Sequence, residues 1–196
     1  MKRLLCLIAI TGFALASMAQ TAAQTICAEA EQDFLENILP YWQRHSVDPQ
    51  GGFYGTVRTD GQPDPESDKG SILNARILWT MSNAYRLYGD TAALRLANRA
   101  ADYYKAHFVS SDGSVRWSVK ADGTPADESV QTYAVCYGIY GLTAHYAATA
   151  NRSSLAMAQR LYRYIETHLH DPQGGYYERL GSDKKMHNPH IHVVES

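Results

Sequence analysis

HSVDPQGGFYG at residues 45–55 returns as HLHDPQGGYYE at 168–178, and HFVSSDGSVRW at 107–117 is a degenerate third copy. The leading histidines, His45, His107 and His168, are 62 and 61 residues apart. A fixed period of that size marks a repeat architecture, and one period has room for two helices and a decorated loop. Asp, Pro and paired Gly are ordinary turn residues; their recurrence at constant spacing is what decides the fold.

The segments between the copies alternate in character. From Ala28 to Arg44, the residues Phe34, Leu35, Ile38, Leu39 and Trp42 form an apolar stripe with acidic residues elsewhere. Residues 91–107 and 152–169 repeat that pattern, so all three predict helices with one buried face. Residues 72–88 carry apolar side chains on more than one face, and 129–150 has no charged residue if His145 is neutral. Helices apolar all round are buried. The order is outer, inner, outer, inner, outer, and a further inner helix begins near Asn188. An inner ring wrapped by an outer one predicts an all-α (α/α)6 toroid, its hairpin-like loops gathered on one side. Six such units of 61 residues would need about 370 residues, so this chain of 196 is expected to encode the N-terminal half of the ring. It is then a fragment, or two copies self-associate to cover the exposed half-barrel.

Composition excludes other classes. The net charge is −2, 45% of residues are apolar and 11% aromatic, which is unlike a disordered chain. It is equally unlike a basic nucleic-acid binder, so no nucleic-acid partner is expected. Tyrosine supplies 14 of the aromatics, against four Phe and three Trp, a bias that suits a carbohydrate cleft. Lys2 and Arg3 precede an apolar run from Leu4 to Ala16, and Ser17-Met18-Ala19 gives small residues at −3 and −1. This reads as a signal peptide at 1–19, followed by a short lead at 20–27 and the partial barrel at 28–196. The mature chain is expected to be exported, periplasmic or secreted, without a membrane anchor. Ile26 is too bulky for Cys27 to be a lipid-attachment site, and Cys27 with Cys136 does not make a disulfide framework.

Arg76, Tyr133 and His192 stand near the starts of the inner helices, 57 and 59 residues apart, and should face one central cavity. An Arg in an apolar helix needs a partner: either Glu66 or Asp68 pairs with it, or it serves chemistry. MHNPHIHVVE at 186–195 offers His190, His192 and Glu195. A metal set is the weaker reading, because a helix turns His190 and His192 apart, and no metal site or cofactor is expected. An imidazole that packs, or that moves protons in a sugar cleft, fits better. Asp127 and Glu128, ahead of an inner helix, raise a glycoside hydrolase or lyase as a last alternative, but hydrolysis needs a second carboxylate across the bond.

Taken together, ILPYW at 38–42, GGFYG at 51–55, KGSILNARILWTMSNAYR at 69–86, Tyr133 with its aromatic helix, GGYYE at 174–178 and MHNPHIHVVES at 186–196 resemble the N-acylglucosamine 2-epimerase family, most of all its cellobiose 2-epimerases. The resemblance runs from about Ala28 to Ser196. It implies an (α/α)6 barrel and reversible epimerisation at C2 of a reducing-end saccharide through a cis-enediolate, with no cofactor. It further implies that Arg76 holds the sugar oxygens and stabilises the enediolate, that His192 is the active-site histidine of the sixth helix, and that Tyr133 and Asn188 bind substrate. Trp42 and Trp79 fall at packing positions. The two histidines that carry the C2 proton transfers in the family lie in the second half of its barrel. No residue here is assigned to them, so the isolated chain is expected to be inactive. A noncatalytic saccharide-binding or assembly half-domain is the alternative of a different class.

Overall fold

The computed structural model describes residues 21–196; the leader read at 1–19 lies outside them. The chain divides into two compact units, one ending at Arg44 and one spanning His45–Ser196. In the first, residues 21–45 run as a helix, α1, so the short lead expected at 20–27 is helical from residue 21 onward. Its middle, Phe34–Ile38, is π-helical. Leu39 is buried, but Leu35 and Ile38 are 36% and 44% exposed, which corrects the expectation of one continuous buried face.

In the second unit the expected alternation is present. The inner helices are α2 (Ser71–Tyr88), α4 (Thr132–Thr149) and α6 (His187–Glu195); the outer ones are α3 (Thr91–Tyr103) and α5 (Arg152–Tyr164). α4 lies at the centre, packed on α2, α5 and α6. Two glycines make that approach close. A Cβ on Gly141 would fall 2.8 Å from the Ala75 carbonyl oxygen of α2, and one on Gly138 would meet Tyr104 and Leu161 within 2.8 Å. α3 and α5 each bury an alanine-rich or mixed face, including Ala93, Ala97 and Ala101 in the first and Ala158 and Leu161 in the second.

The repeat is written into the backbone. Both outer helices end in a π-turn, Tyr104–Phe108 and Ile165–Leu169, and each, like α1, leads into a loop closed by one antiparallel bridge. The bridges are Val47 to Phe53, Val109 to Val115 and His170 to Tyr176, again 62 and 61 residues apart. Helix ends repeat as well. Asp90 caps α3 by accepting from Ala92 and Ala93 N–H, and Asn151 caps α5 by accepting from Ser154 N–H, the usual chemistry of an N-cap. α2 ends on Gly89 at φ 70°, while α4 ends on the equivalent Ala150 at φ 56°.

Cations staple the loops. Lys69 Nζ lies 2.6 Å from Asp48 Oδ2 and donates to the Gly51 carbonyl at 2.7 Å, fully buried. Lys185 repeats the device at the third loop, 2.5 Å from Asp171 Oδ2 and 2.7 Å from the Gly174 carbonyl. From the outer helices, Arg99 donates to the Asp48 and Gly52 carbonyls, and Arg160 donates to the Ser111 carbonyl. Beside these loops, β1 (Lys69–Gly70), β2 (Ser118–Val119) and β3 (Pro125–Asp127) form a three-stranded antiparallel sheet. It leads directly into α2.

Candidate active site

Arg76 lies on the exposed side of α2, one and a half turns in. The ion pair with Glu66 or Asp68 weighed from sequence is not what it makes. Its Nη2 donates to the Tyr137 hydroxyl at 2.8 Å and to the Tyr133 hydroxyl at 3.2 Å. Its Cζ also sits 4.6 Å from the Tyr137 ring centroid, a cation–π contact. Hydrogen bonding to Tyr137 raises the guanidinium pKa above its usual value, so the group is a fixed positive charge. Among the described residues its Nε and Nη1 donors have no other partner and remain for a ligand.

α4 supplies both tyrosines because positions 133 and 137 are one helical turn apart and share a face. α6 brings His192 against them, its ring centroid 4.7 Å from that of Tyr133 and 5.0 Å from that of Tyr137. His192 Nδ1 lies 2.8 Å from Glu195 Oε2, an i, i+3 pair on the same helix. The carboxylate only accepts, so Nδ1 carries a proton. Burial raises the Tyr133 phenol, and burial with the nearby Glu195 charge raises that of Tyr140. Both are neutral donors at ordinary pH.

Arg76, Tyr133 and His192 therefore meet, and Tyr137 and Glu195 join them. Asn188, the second residue of α6, does not touch Arg76. It is exposed and lines, with Tyr133, an adjoining pocket of about 290 Å³. His190 is turned elsewhere: its Nδ1 donates to the Met186 carbonyl at 2.7 Å and its Nε2 accepts from Tyr176 N–H at 3.0 Å. That makes it a packing imidazole, and the metal set of His190, His192 and Glu195 does not form. Of the two carboxylates considered for hydrolysis, Glu128 pairs with Arg116 at 3.1 Å and Asp127 accepts from Ser129 N–H. Both are committed to the rim.

Below the cluster, Cys136, Tyr137, Tyr140, His192, Glu195 and Ser196 enclose a cavity of about 60 Å³, enough for a few waters and too small for a sugar ring. Burial pushes the Cys136 thiol up to about 12, so it is no nucleophile. Trp79 stacks flat on Tyr140 with centroids 5.2 Å apart, the packing role read from sequence.

Residues 52–196 match the N-acylglucosamine 2-epimerase (GlcNAc 2-epimerase) family. The chain belongs to that family. Cellobiose 2-epimerase of Bacteroides fragilis is 39% identical over 186 residues, 85% of this chain and 47% of that protein. Cellobiose 2-epimerase of Eubacterium cellulosolvens is 40% identical over 149 residues, 76% of this chain and 36% of that protein. The solved structure of cellobiose 2-epimerase from Bacillus thermoamylovorans matches with a TM-score of 0.83 at 30% identity, covering 88% of this chain and 49% of that one. The fold class is thus the α/α toroid, and the chain spans about half the length of the curated relatives it matches.

Within this N-acylglucosamine 2-epimerase family member, sequence reasoning missed Tyr137 and the partnership of Glu195. Both had a signal. Tyr137 is four residues after Tyr133 and Glu195 three after His192, the spacings at which helical side chains meet.

Proposed function

We propose that this chain contributes the substrate-holding and enediolate-stabilising part of a sugar 2-epimerase site, acting on a reducing-end saccharide such as cellobiose or an N-acylglucosamine. The convergence of Arg76, Tyr133, Tyr137 and His192 from three inner helices carries the reading. In the open-chain sugar the C1 carbonyl acidifies the C2 proton, and its removal leaves a cis-enediolate whose charge rests on O1 and O2. Arg76 is the catalytic group that meets this charge. It is held by two hydroxyls before substrate arrives, so it needs little reorganisation when the charge develops. His192, its tautomer set by Glu195, acts at Nε2 as proton carrier for a sugar hydroxyl during ring opening. Tyr133 and Asn188 bind neighbouring hydroxyls. The C2 proton itself is moved by groups that no residue assigned here supplies. The leader read at 1–19 adds an exported location to the proposal.

The test is a cellobiose titration of the purified chain by NMR, with C2 deuterium incorporation followed in D2O. Saccharide-dependent shifts at Arg76 and His192, lost in Arg76→Ala, with no deuterium at C2, are expected. Absence of any saccharide binding overturns the reading; deuterium incorporation overturns the assignment of C2 proton transfer to groups elsewhere.

A saccharide-binding or assembly half-domain is the second reading. It draws on α6, where Val194 is 89% and Ile191 40% exposed. A stable dimer that binds sugar without turnover, measured by sedimentation, favours it.

A further inference from the structure

We infer that the third repeat loop, residues 169–177, and the exposed Tyr41 of α1 are the two halves of one interface, and that two copies of this chain pair through it twice. This rests on the assembly reading above, whose surface it names, and not on saccharide binding. The repeat carries a motif that the candidate site does not use. Each repeat histidine stands four residues after a tyrosine: Tyr41 with His45, Tyr103 with His107 and Tyr164 with His168. That spacing keeps both rings on one side of a helix end. Tyr103 stacks on His107 with centroids 4.2 Å apart, and Tyr164 meets His168 at 4.5 Å.

In two of the three cases the helix end lies on the loop of the preceding repeat. Tyr103 of α3 covers the first loop: a Cβ on Gly51 or Gly52 would meet its ring at 3.1 and 2.7 Å, and Lys69 Nζ sits 5.4 Å from its centroid. α5 covers the second loop. A Cβ on Gly113 would meet Arg160 Nε at 3.2 Å, and burial with the nearby Asp112 charge raises the Tyr164 phenol. Tyr103 and Tyr164 are accordingly buried. Gly174 holds the same place in the third loop, 61 residues after Gly113, but a Cβ there would meet nothing within 4 Å among the described residues. Its surroundings agree. Phe53 and Val115 are fully buried, whereas the equivalent Tyr176 is part-exposed, as is Lys185 in the staple beside it. His190 packs on Gly175, so the loop is held from within its own repeat and open at its tip.

The matching cover is present in the same sequence. Tyr41 is the first member of the series, 62 residues before Tyr103, and it is 42% exposed. One copy thus offers an exposed tyrosine of the kind that covers a loop, and an uncovered loop of the kind that receives it. A large ring with a polar tip suits such a contact. A one-way contact would leave one of each unused and grow into open chains, whereas a twofold pair uses both at once. After the first contact forms, the second gains from the high effective concentration of tethered partners. The contact between copies differs from those within the chain at one position. Arg99 and Arg160 donate to carbonyls of the loops they cover. The equivalent residue of α1 is Asn37, whose amide donates to Asp33 at 2.8 Å. The pair therefore rests on the tyrosine and is reversible.

The experiment is sedimentation equilibrium of the purified full chain and its Tyr41→Ala, Gly174→Asn and Asn37→Arg variants, with a circular dichroism melt for each. Reducing conditions keep the exposed Cys27 from linking copies. The wild-type chain is expected to show a monomer–dimer equilibrium at concentrations up to about 1 mM, and to stop at the dimer. Tyr41→Ala should weaken the dimer about tenfold or more, and Gly174→Asn, which puts a side chain into the open space, should weaken it as well. Asn37→Arg restores the donor found in the other two helices and should tighten the dimer about tenfold. If Gly174→Asn does not fold, Tyr41→Ala and Asn37→Arg decide in the same way. A dimer left unchanged by Tyr41→Ala overturns this interface and leaves the assembly reading intact. Assemblies larger than a dimer overturn the twofold pairing. A folded wild-type chain that stays monomeric overturns both the interface and the assembly reading.

Discussion

The Arg76 guanidinium is engaged by one residue in two ways: Nη2 donates to the Tyr137 hydroxyl at 2.8 Å, and Cζ lies 4.6 Å from the centroid of the same ring. An ammonium cannot reproduce a planar group held at its edge and over a ring. Arg76→Lys is therefore expected to weaken cellobiose binding about tenfold or more. Tyr137→Phe keeps the ring and loses only the hydroxyl, a loss of about threefold to tenfold. Calorimetric titration of the two variants checks the order.

Glu195 fixes the tautomer of His192 through the 2.8 Å contact at Nδ1. In Glu195→Ala the Nδ1 proton loses its acceptor, and nitrogen-15 spectra should change from a single Nδ1–H tautomer to a mixture. A spectrum unchanged by the substitution would show that the tyrosine rings alone orient the imidazole.

His145 is buried with Nδ1 accepting from Ser154 Oγ and Nε2 donating to Asn98 Oδ1, both at 2.9 Å. Burial lowers its pKa, the Lys105 charge adds to this, and Asp102 opposes it. A depressed folded-state pKa means that the unfolded chain takes up the proton first as pH falls. Stability should drop as pH falls below about 6.5, the unfolded value, and go on falling until the folded pKa is passed. Melting curves from pH 7 to 5 should show this fall, and His145→Gln, though less stable at pH 7, should lose much of the pH dependence.

Lys69 and Lys185 make the same staple in different surroundings. The side chains of Lys69 and Asp48 are 1% and 5% exposed, whereas that of Lys185 is 36% exposed. Lys69→Met leaves a buried carboxylate without its partner and should cost about 3–5 kcal/mol. Lys185→Met removes a part-exposed partner from Asp171, whose side chain is 12% exposed and still accepts from Gln173 N–H, so it should cost less than Lys69→Met. Urea denaturation of both variants measures the difference.

Ala150 ends α4 in the left-handed region at φ 56°, where the equivalent end of α2 uses Gly89. A side chain there is strained by roughly 1–2 kcal/mol, partly offset by the greater chain entropy of glycine. Ala150→Gly should raise stability by about 0.5–1 kcal/mol, read from the same denaturation curves.

Much of this molecule was legible in its sequence because repetition amplifies weak signals. His45, His107 and His168 give the period, and the charge-free run before Ala150 separates inner from outer helices. The meeting of Arg76, Tyr133 and His192 followed from equivalent positions alone. Other features depend on local detail that hydrophobic patterning does not carry. Leu35 and Ile38 are exposed although their spacing reads as part of one buried stripe. Tyr137 looked like one more apolar contact in an aromatic helix, since only its hydroxyl distinguishes partner from packing. His190 and His192 are two residues apart yet serve different neighbours, because a helix turns such positions to different sides.

Arg99 and Arg160 reach back to loops 47 to 51 residues earlier in the chain. The rim loop of one repeat is therefore secured only after the outer helix of the next has been made. On the ribosome, where chains emerge from the N-terminus, the rim matures one module behind the helices that carry it.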